Sequence, residues 1–252
     1  MKKRILLKIG SNTLTKETDQ ISRGKIEDIG RQVASLRNEY EFVIVSSGAI
    51  AAAKQFVKLE HNGEEINIKQ ALAAIGQPHL MRMFQENFRE LGLFAAQCLL
   101  SYSDFENPRA KANIKNTIDI LVANNFIPII NENDTVAADE IQFGDNDKLA
   151  ALTAALLKVD LLLIATNTDG IYTKDSLENG QPQTISEVSV AGGLVQEIST
   201  SKSSHGTGGM SSKIEAATIA QQVGIETWIV NGLKDNFISD ALTGSSNHTK
   251  IK

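Results

Sequence analysis

Ile5-Leu6-Leu7-Lys8-Ile9-Gly10-Ser11 is followed by a segment at 23–38, in which Ile26, Ile29, Val33 and Leu36 share one helical face, and then by Phe42-Val43-Ile44-Val45-Ser46-Ser47. This reads as strand, helix, strand. The apolar runs are continuous rather than alternating, which points to strands buried on both faces, as in a parallel sheet covered by helices on each side. Further branched apolar runs lie at 93–100, 126–130, 161–165 and 228–230, separated mostly by segments with helical spacing at 68–91, 109–124, 146–157 and 211–223. Gly76 and Pro78 mark an expected break in the 68–91 helix. Pro128 donates no ladder hydrogen bond, so the 126–130 strand is expected near a sheet edge or to start late.

The 252 residues carry 25 Lys+Arg against 30 Asp+Glu, a formal charge of −5, which disfavours a general nucleic-acid binder. A hydrophobic fraction of 42% and a charged fraction of 22% are those of an ordinary globular protein, and the length suits one α/β domain. The lone Cys98 can form no intramolecular disulfide, so the chain reads as cytoplasmic. Met1-Lys2-Lys3-Arg4 lacks the apolar stretch of a signal peptide behind it, and no apolar run approaches the ~20 residues of a membrane span. The segments 137–143 and 170–189 are polar and turn-rich, suited to hairpins or flaps over a site, and 245–252 reads as a disordered tail.

In an open parallel sheet the ligand sits outside the carboxyl ends of the strands, so the residues after each apolar run are the informative ones. They are Gly10-Ser11-Asn12, Ser46-Ser47-Gly48-Ala49, Asn131-Glu132-Asn133-Asp134 and Thr166-Asn167-Thr168-Asp169-Gly170. Lys8, two residues from the end of a buried strand, needs a path to solvent or an anionic partner. Ser46-Ser47-Gly48-Ala49 leads into an apparent helix at 50–57, whose first amides suit an anion, unless a serine simply caps it. Gly206-Thr207-Gly208-Gly209-Met210-Ser211-Ser212-Lys213 reads either as a phosphate-wrapping loop or as a glycine-rich linker. The lysine and helix after it favour the loop. Gly144-Asp145-Asn146-Asp147-Lys148 opens another helix, where Asp145 or Asn146 could be an ordinary N-cap or part of an acid and amide cluster with the segment at 131–134.

Several chemistries find no support. The loops match neither the P-loop nor the dinucleotide fingerprint, His61, His79, His205 and His248 form no zinc-like pair, and no nucleophile elbow is present.

Taken in order, Lys8-Ile9-Gly10-Ser11, the serine-rich segment at 46–51, the segment 131–134, the segment 144–147 and the glycine loop at 206–213 resemble the amino-acid kinase superfamily, and within it the glutamate 5-kinase branch. The resemblance implies a three-layer α/β/α sandwich around a mainly parallel sheet and a single kinase domain over 1–252 without the C-terminal PUA domain of many members. It also implies ATP-dependent phosphorylation of the γ-carboxylate of L-glutamate with Mg²⁺, the first step of proline biosynthesis. By the same resemblance Lys8 and Lys213 serve the transferring phosphoryl group and Asp147 orients them. Ser47, Asp134 and Asn146 bind glutamate, while Lys8, Thr166, Asn167 and Thr207, Gly208, Gly209, Met210, Ser211, Ser212 and Lys213 line the nucleotide site. The family's usual Thr-Asp is Thr166-Asn167 here, and Asn accepts a hydrogen bond but brings no charge. Feedback inhibition by L-proline, a homo-oligomer and hand-over of the product to glutamyl phosphate reductase are further implications.

An elementary consideration agrees with this chemistry. A carboxylate with a reference pKa of about 4.3 is already a deprotonated nucleophile at neutral pH and needs no general base. Positioning and charge neutralisation then suffice. The rival expectations are the same fold with aspartate, N-acetylglutamate, carbamate or UMP as acceptor, and a non-catalytic amino-acid sensor. Retention of both Lys8 and Lys213 speaks against the sensor.

Overall fold

The computed structural model describes residues 2–16, 18–59, 65–137, 146–189 and 209–252. Eight strands form one sheet in the order β3-β4-β2-β1-β5-β7-β8-β6. They are β1 (Lys3–Ile9), β2 (Tyr40–Ser46), β3 (Phe94–Leu100), β4 (Phe126–Glu132), β5 (Leu161–Thr166), β6 (Glu187–Val188), β7 (Glu226–Asn231) and β8 (Thr249–Ile251). Every pairing is parallel except β7 with β8. Chain order reverses around β1, whose neighbours are β2 and β5, and this is where such a sheet opens a crevice.

Nine α-helices among the described residues complete the sandwich: α1 (Ser11–Thr15), α2 (Arg23–Leu36), α3 (Ala49–Lys54), α4 (Glu65–Glu90), α5 (Pro108–Ala123), α6 (Asp147–Leu157), α7 (Lys174–Glu178), α8 (Met210–Gln221) and α9 (Phe237–Thr243). The strand period of two divides the core into two layers. Ile5, Leu7 and Ile9 pack with Ile26, Ile29, Leu80, Phe84 and Phe237 of α2, α4 and α9. Leu6, Val43, Val45 and Ile164 pack on the other side with Ile118, Leu149 and Ala216 of α5, α6 and α8. The expected three layers are therefore present.

Three expectations change and one is met. The helix expected to break near Gly76 and Pro78 runs through both as α4. Gly76 is there because α4 lies directly on α3: a Cβ at that position would stand 1.8 Å from the Ala49 carbonyl oxygen. The expectation at Pro128 is met: it lies one strand in from the edge, and β4 begins its ladder with β2 only at Ile129. The 245–252 tail is not disordered, since β8 docks on β7 with Thr249 and Ile251 buried and the Lys250 ammonium 4.4 Å from the Trp228 ring centre. The 170–189 segment is hairpin-like at the Tyr172–Thr184 bridge but ends as a sheet strand, β6, rather than as a flap. Residues 138–143 of the other expected flap lie outside the described residues. Among the described residues, no helix is long and apolar enough to cross a membrane.

Candidate active site

Lys8 shares a face of β1 with Leu6, so it points toward the layer of α6 and α8 just where β1 ends. Its burial is answered by Asp147, the first residue of α6. Lys8 Nζ lies 2.6 Å from Asp147 Oδ1, and Lys213 Nζ, from the first turn of α8, lies 3.0 Å from Asp147 Oδ2. Ser212 Oγ donates to the same Oδ2 at 2.9 Å. Asp147 is wholly inaccessible, and both lysines are buried. Burial on its own would raise the Asp147 pKa, but the Lys8 and Lys213 ammonium groups outweigh it and hold the carboxyl well below the usual range. The helix N-terminus is a further favourable place for this anion. Among the described residues, two lysines meet on this one carboxylate at the strand ends.

Beside it lies a group rich in acceptors. Asn146 occupies the N-cap position of α6 but makes no capping hydrogen bond. Its Nδ2 instead donates to Ser46 O at 3.2 Å, Ser47 Oγ at 3.2 Å and Asn131 Oδ1 at 2.6 Å. Neither serine caps α3: Gly48 stands there with φ of 111°, a left-handed turn that favours glycine. Asp134 follows β4 on a loop tied to α4 by Gln70 Nε2, which donates to Asp134 O at 3.0 Å. Burial, then the neighbouring Glu132 carboxylate, pushes the Asp134 pKa up to about 7. Among the described residues, Asp134 Oδ1 and Asn146 Oδ1 are buried acceptors with no hydrogen-bond partner. Two such atoms, one at the start of α6 and one in the loop after β4, are each suited to a cationic donor.

On the other side of β1, Thr166 ends β5 and Asn167 follows, with the Thr166 hydroxyl 3.5 Å from Asn167 Oδ1. Gly232 N donates to Thr166 O at 2.7 Å, and a Cβ at Gly232 would stand 2.6 Å from Thr13 Cγ2, so this corner requires glycine for its close approach. Asp169 here accepts from Asn231 Nδ2 at 2.9 Å and pairs with Lys234 at 2.6 Å.

Of the residues expected at the site, Lys8, Asp147, Ser212 and Lys213 meet through one carboxylate, and Ser47 and Asn146 meet directly. Gly209 precedes α8, and Met210 and Ser211 open it. Thr207 and Gly208, like Gly144 and Asp145, lie outside the described residues. The sequence pattern did not single out Gln77 of α4, whose Oε1 receives Asn131 Nδ2 at 2.9 Å, or the Asp169–Lys234 pair. A signal for the first existed only in the pairing of a close-packing Gly76 with a polar neighbour on an otherwise apolar helix face.

The family model described as "Amino acid kinase family" matches residues 3–231. The chain belongs to the amino acid kinase family. A glutamate 5-kinase from Alkaliphilus metalliredigens is 40% identical over 249 residues, covering 98% of this chain and 94% of that protein. A glutamate 5-kinase from Neisseria meningitidis is 39% identical over 241 residues, and the match takes in 95% of this chain but 65% of the longer relative. The crystal structure of UMP kinase from Ureaplasma parvum superimposes with a TM-score of 0.67 at 19% identity, over 100% of this chain and 99% of that one. At that identity the likeness concerns the amino acid kinase fold, and it extends to both ends of the sheet described above.

Proposed function

We propose that this chain transfers the γ-phosphoryl group of ATP to the γ-carboxylate of L-glutamate, releasing ADP and L-glutamyl 5-phosphate, the first step of proline biosynthesis. The observation that carries the reading is the Lys8–Asp147–Lys213 bridge, two buried ammonium groups fixed at the strand ends on a carboxylate whose preceding residue, Asn146, holds an unpartnered acceptor, as does Asp134 after β4. The relatives named glutamate 5-kinase support the choice of acceptor.

In this reading Asp134 and Asn146 Oδ1 receive the α-ammonium of glutamate, and Ser47 with Asn146 fixes the substrate's position. The γ-carboxylate attacks the γ-phosphorus, the bond to the β,γ-bridging oxygen breaks, and the electron pair leaves with ADP. No proton has to move, because the nucleophile is already ionised. Lys8 and Lys213 neutralise charge on the phosphoryl oxygens while Asp147 keeps them in place, an electrostatic arrangement set before substrate arrives. Thr166, Asn167 and the 207–213 loop line the nucleotide side. Mg²⁺ bound with ATP would add positive charge against the phosphates, and Asp147 would be a poor direct ligand for it, since both its oxygens already face an ammonium nitrogen. Cytoplasmic location, inhibition by L-proline, self-association and delivery of the labile acyl phosphate to a reductase belong to the same reading.

The acidity of the acceptor end disfavours UMP, whose phosphate needs cations where this chain has Glu132 and Asp134. An acyl-hydroxamate trap with Mg·ATP and a panel of acceptors is the test. Product from glutamate alone is expected; turnover of aspartate or N-acetylglutamate would move the substrate, and no turnover with any acceptor would leave a binding protein.

A further inference from the structure

Asn146 Oδ1 can receive a substrate cation only while its amide stays in one of two orientations that are nearly alike in shape. Part of that orientation is set locally: Ser46 O can only accept, so it draws Asn146 Nδ2. The shorter contact, however, is to Asn131 Oδ1 at 2.6 Å, and Asn131 is itself an amide that could turn round and present its NH₂ group instead. Two donors would then face each other inside the protein, and Asn146 would be driven off Ser46 and Ser47.

What holds Asn131 is Gln77. Its Oε1 receives Asn131 Nδ2 at 2.9 Å, and its own Nε2 donates to Gln97 Oε1 at 3.1 Å. Gln77 and Asn131 are both buried, whereas Gln97 sits exposed on the edge strand β3. A directed chain of amides thus runs from the rim of the sheet, through α4 and the end of β4, to the N-terminus of α6, with every donor matched to an acceptor until Asn146 Oδ1. The neighbouring Gly76 makes the reach possible, because any side chain there would hold α4 away from Ala49 and withdraw Gln77.

We propose that Gln77 is a positioning residue for acceptor recognition: by receiving Asn131 Nδ2 it keeps Asn131 Oδ1 turned to Asn146, and so keeps Asn146 Oδ1 available for the ammonium group of the amino-acid substrate. The proposal rests on the function proposed above and adds to it a residue that touches no reacting atom. It makes polarity, not bulk, the property that matters at position 77. Loss of the acceptor leaves the Asn131 NH₂ group as a buried unsatisfied donor, and it regains a partner when Asn131 and Asn146 turn together, which uses up Asn146 Oδ1 as the new acceptor.

The test compares Gln77→Met, which keeps length and loses both polar atoms, with Gln77→Glu, which keeps an acceptor oxygen toward Asn131 in either protonation state. Gln77→Met should raise the KM for glutamate about tenfold, with kcat and the KM for ATP changed less than about twofold, and Gln77→Glu should stay near wild type. An unshifted glutamate KM in Gln77→Met, an equal rise in Gln77→Glu, or a matching rise in the KM for ATP each overturns the proposal. If Gln77→Met is not recovered folded, Gln97→Met at the exposed end of the chain carries the test, with a rise of about threefold expected and none overturning it. Wild-type protein that turns over no glutamate overturns the function proposed above, whereas active wild type with an unshifted variant overturns the Gln77 role alone.

Discussion

Asp147 and Asp134 are both nearly out of reach of water, at 0% and 7% exposure, yet they titrate in opposite directions. Burial raises both. At Asp147 two ammonium groups outweigh it and hold the carboxyl low, while at Asp134 a neighbouring carboxylate adds to it and the pKa reaches about 7. The two ends of the site therefore differ in what they lack. The phosphoryl end has its carboxylate paired with two ammonium groups on folding. The acceptor end is folded with a carboxyl and an amide oxygen unsatisfied, and it is completed by the cation it receives.

The sharpest way to break this contrast is at the phosphoryl end. Lys8→Ala or Lys213→Ala should lower kcat about a hundred- to thousandfold while the protein still folds, as removal of a transition-state charge does. Near-normal steady-state turnover in both would remove the lysines from the chemistry. At the acceptor end the effect should fall on binding: Asp134→Asn is expected to raise the glutamate KM about ten- to a hundredfold with kcat largely retained. A kcat loss without a KM change would place Asp134 elsewhere in the mechanism.

The same substitution separates function from stability. A carboxyl raised from 3.8 to about 7 on folding holds its proton more tightly in the native state, so its contribution to stability is present below pH 4 and is lost as pH rises through 7. Asp134→Asn should accordingly melt above wild type at pH 8 without substrate, with the gap narrowing at pH 5. A constant gap would show that the carboxyl titrates normally. Gly76→Ala tests the wall behind the acceptor end: the added methyl meets the Ala49 carbonyl and should cost about 1–3 kcal/mol by calorimetry, and the surviving protein should lose glutamate affinity before ATP affinity. The smallest expected effect is on pH dependence. kcat/KM for glutamate should fall several-fold from pH 8 to pH 6 as Asp134 gains its proton, and Asp134→Asn should abolish that slope.

Much of this was legible in the sequence because it rests on strong local signals. A lysine inside an apolar strand had to find an anion, and the acidic start of the 146–157 helix supplied it. The parallel sheet followed from continuous apolar runs. The misses are places where long-range packing overrides local pattern. Pro78 and Gly76 read as helix breakers, but α4 is fastened along α3 and continues through them. β6 and β8 are too short and too polar to show a period, and they become strands only because β8 docks on the open edge of β7 and β6 on that of β8. For Asn146 the residues alone left a cap and an acid and amide cluster open, because nothing in a linear sequence reports that its amide reaches Ser46 and Asn131. Gln77 was invisible because an amide relay is a property of four elements and is written in none of them alone.

The shared carboxylate at Asp147 also fixes a length. Two lysines reaching independently from β1 and α8 would each sample many rotamers, and the spacing of their charges would wander with them. Anchored to the two oxygens of one group, at 2.6 and 3.0 Å, the ammonium nitrogens take their separation from the width of a carboxylate, a gauge that does not change from one catalytic cycle to the next.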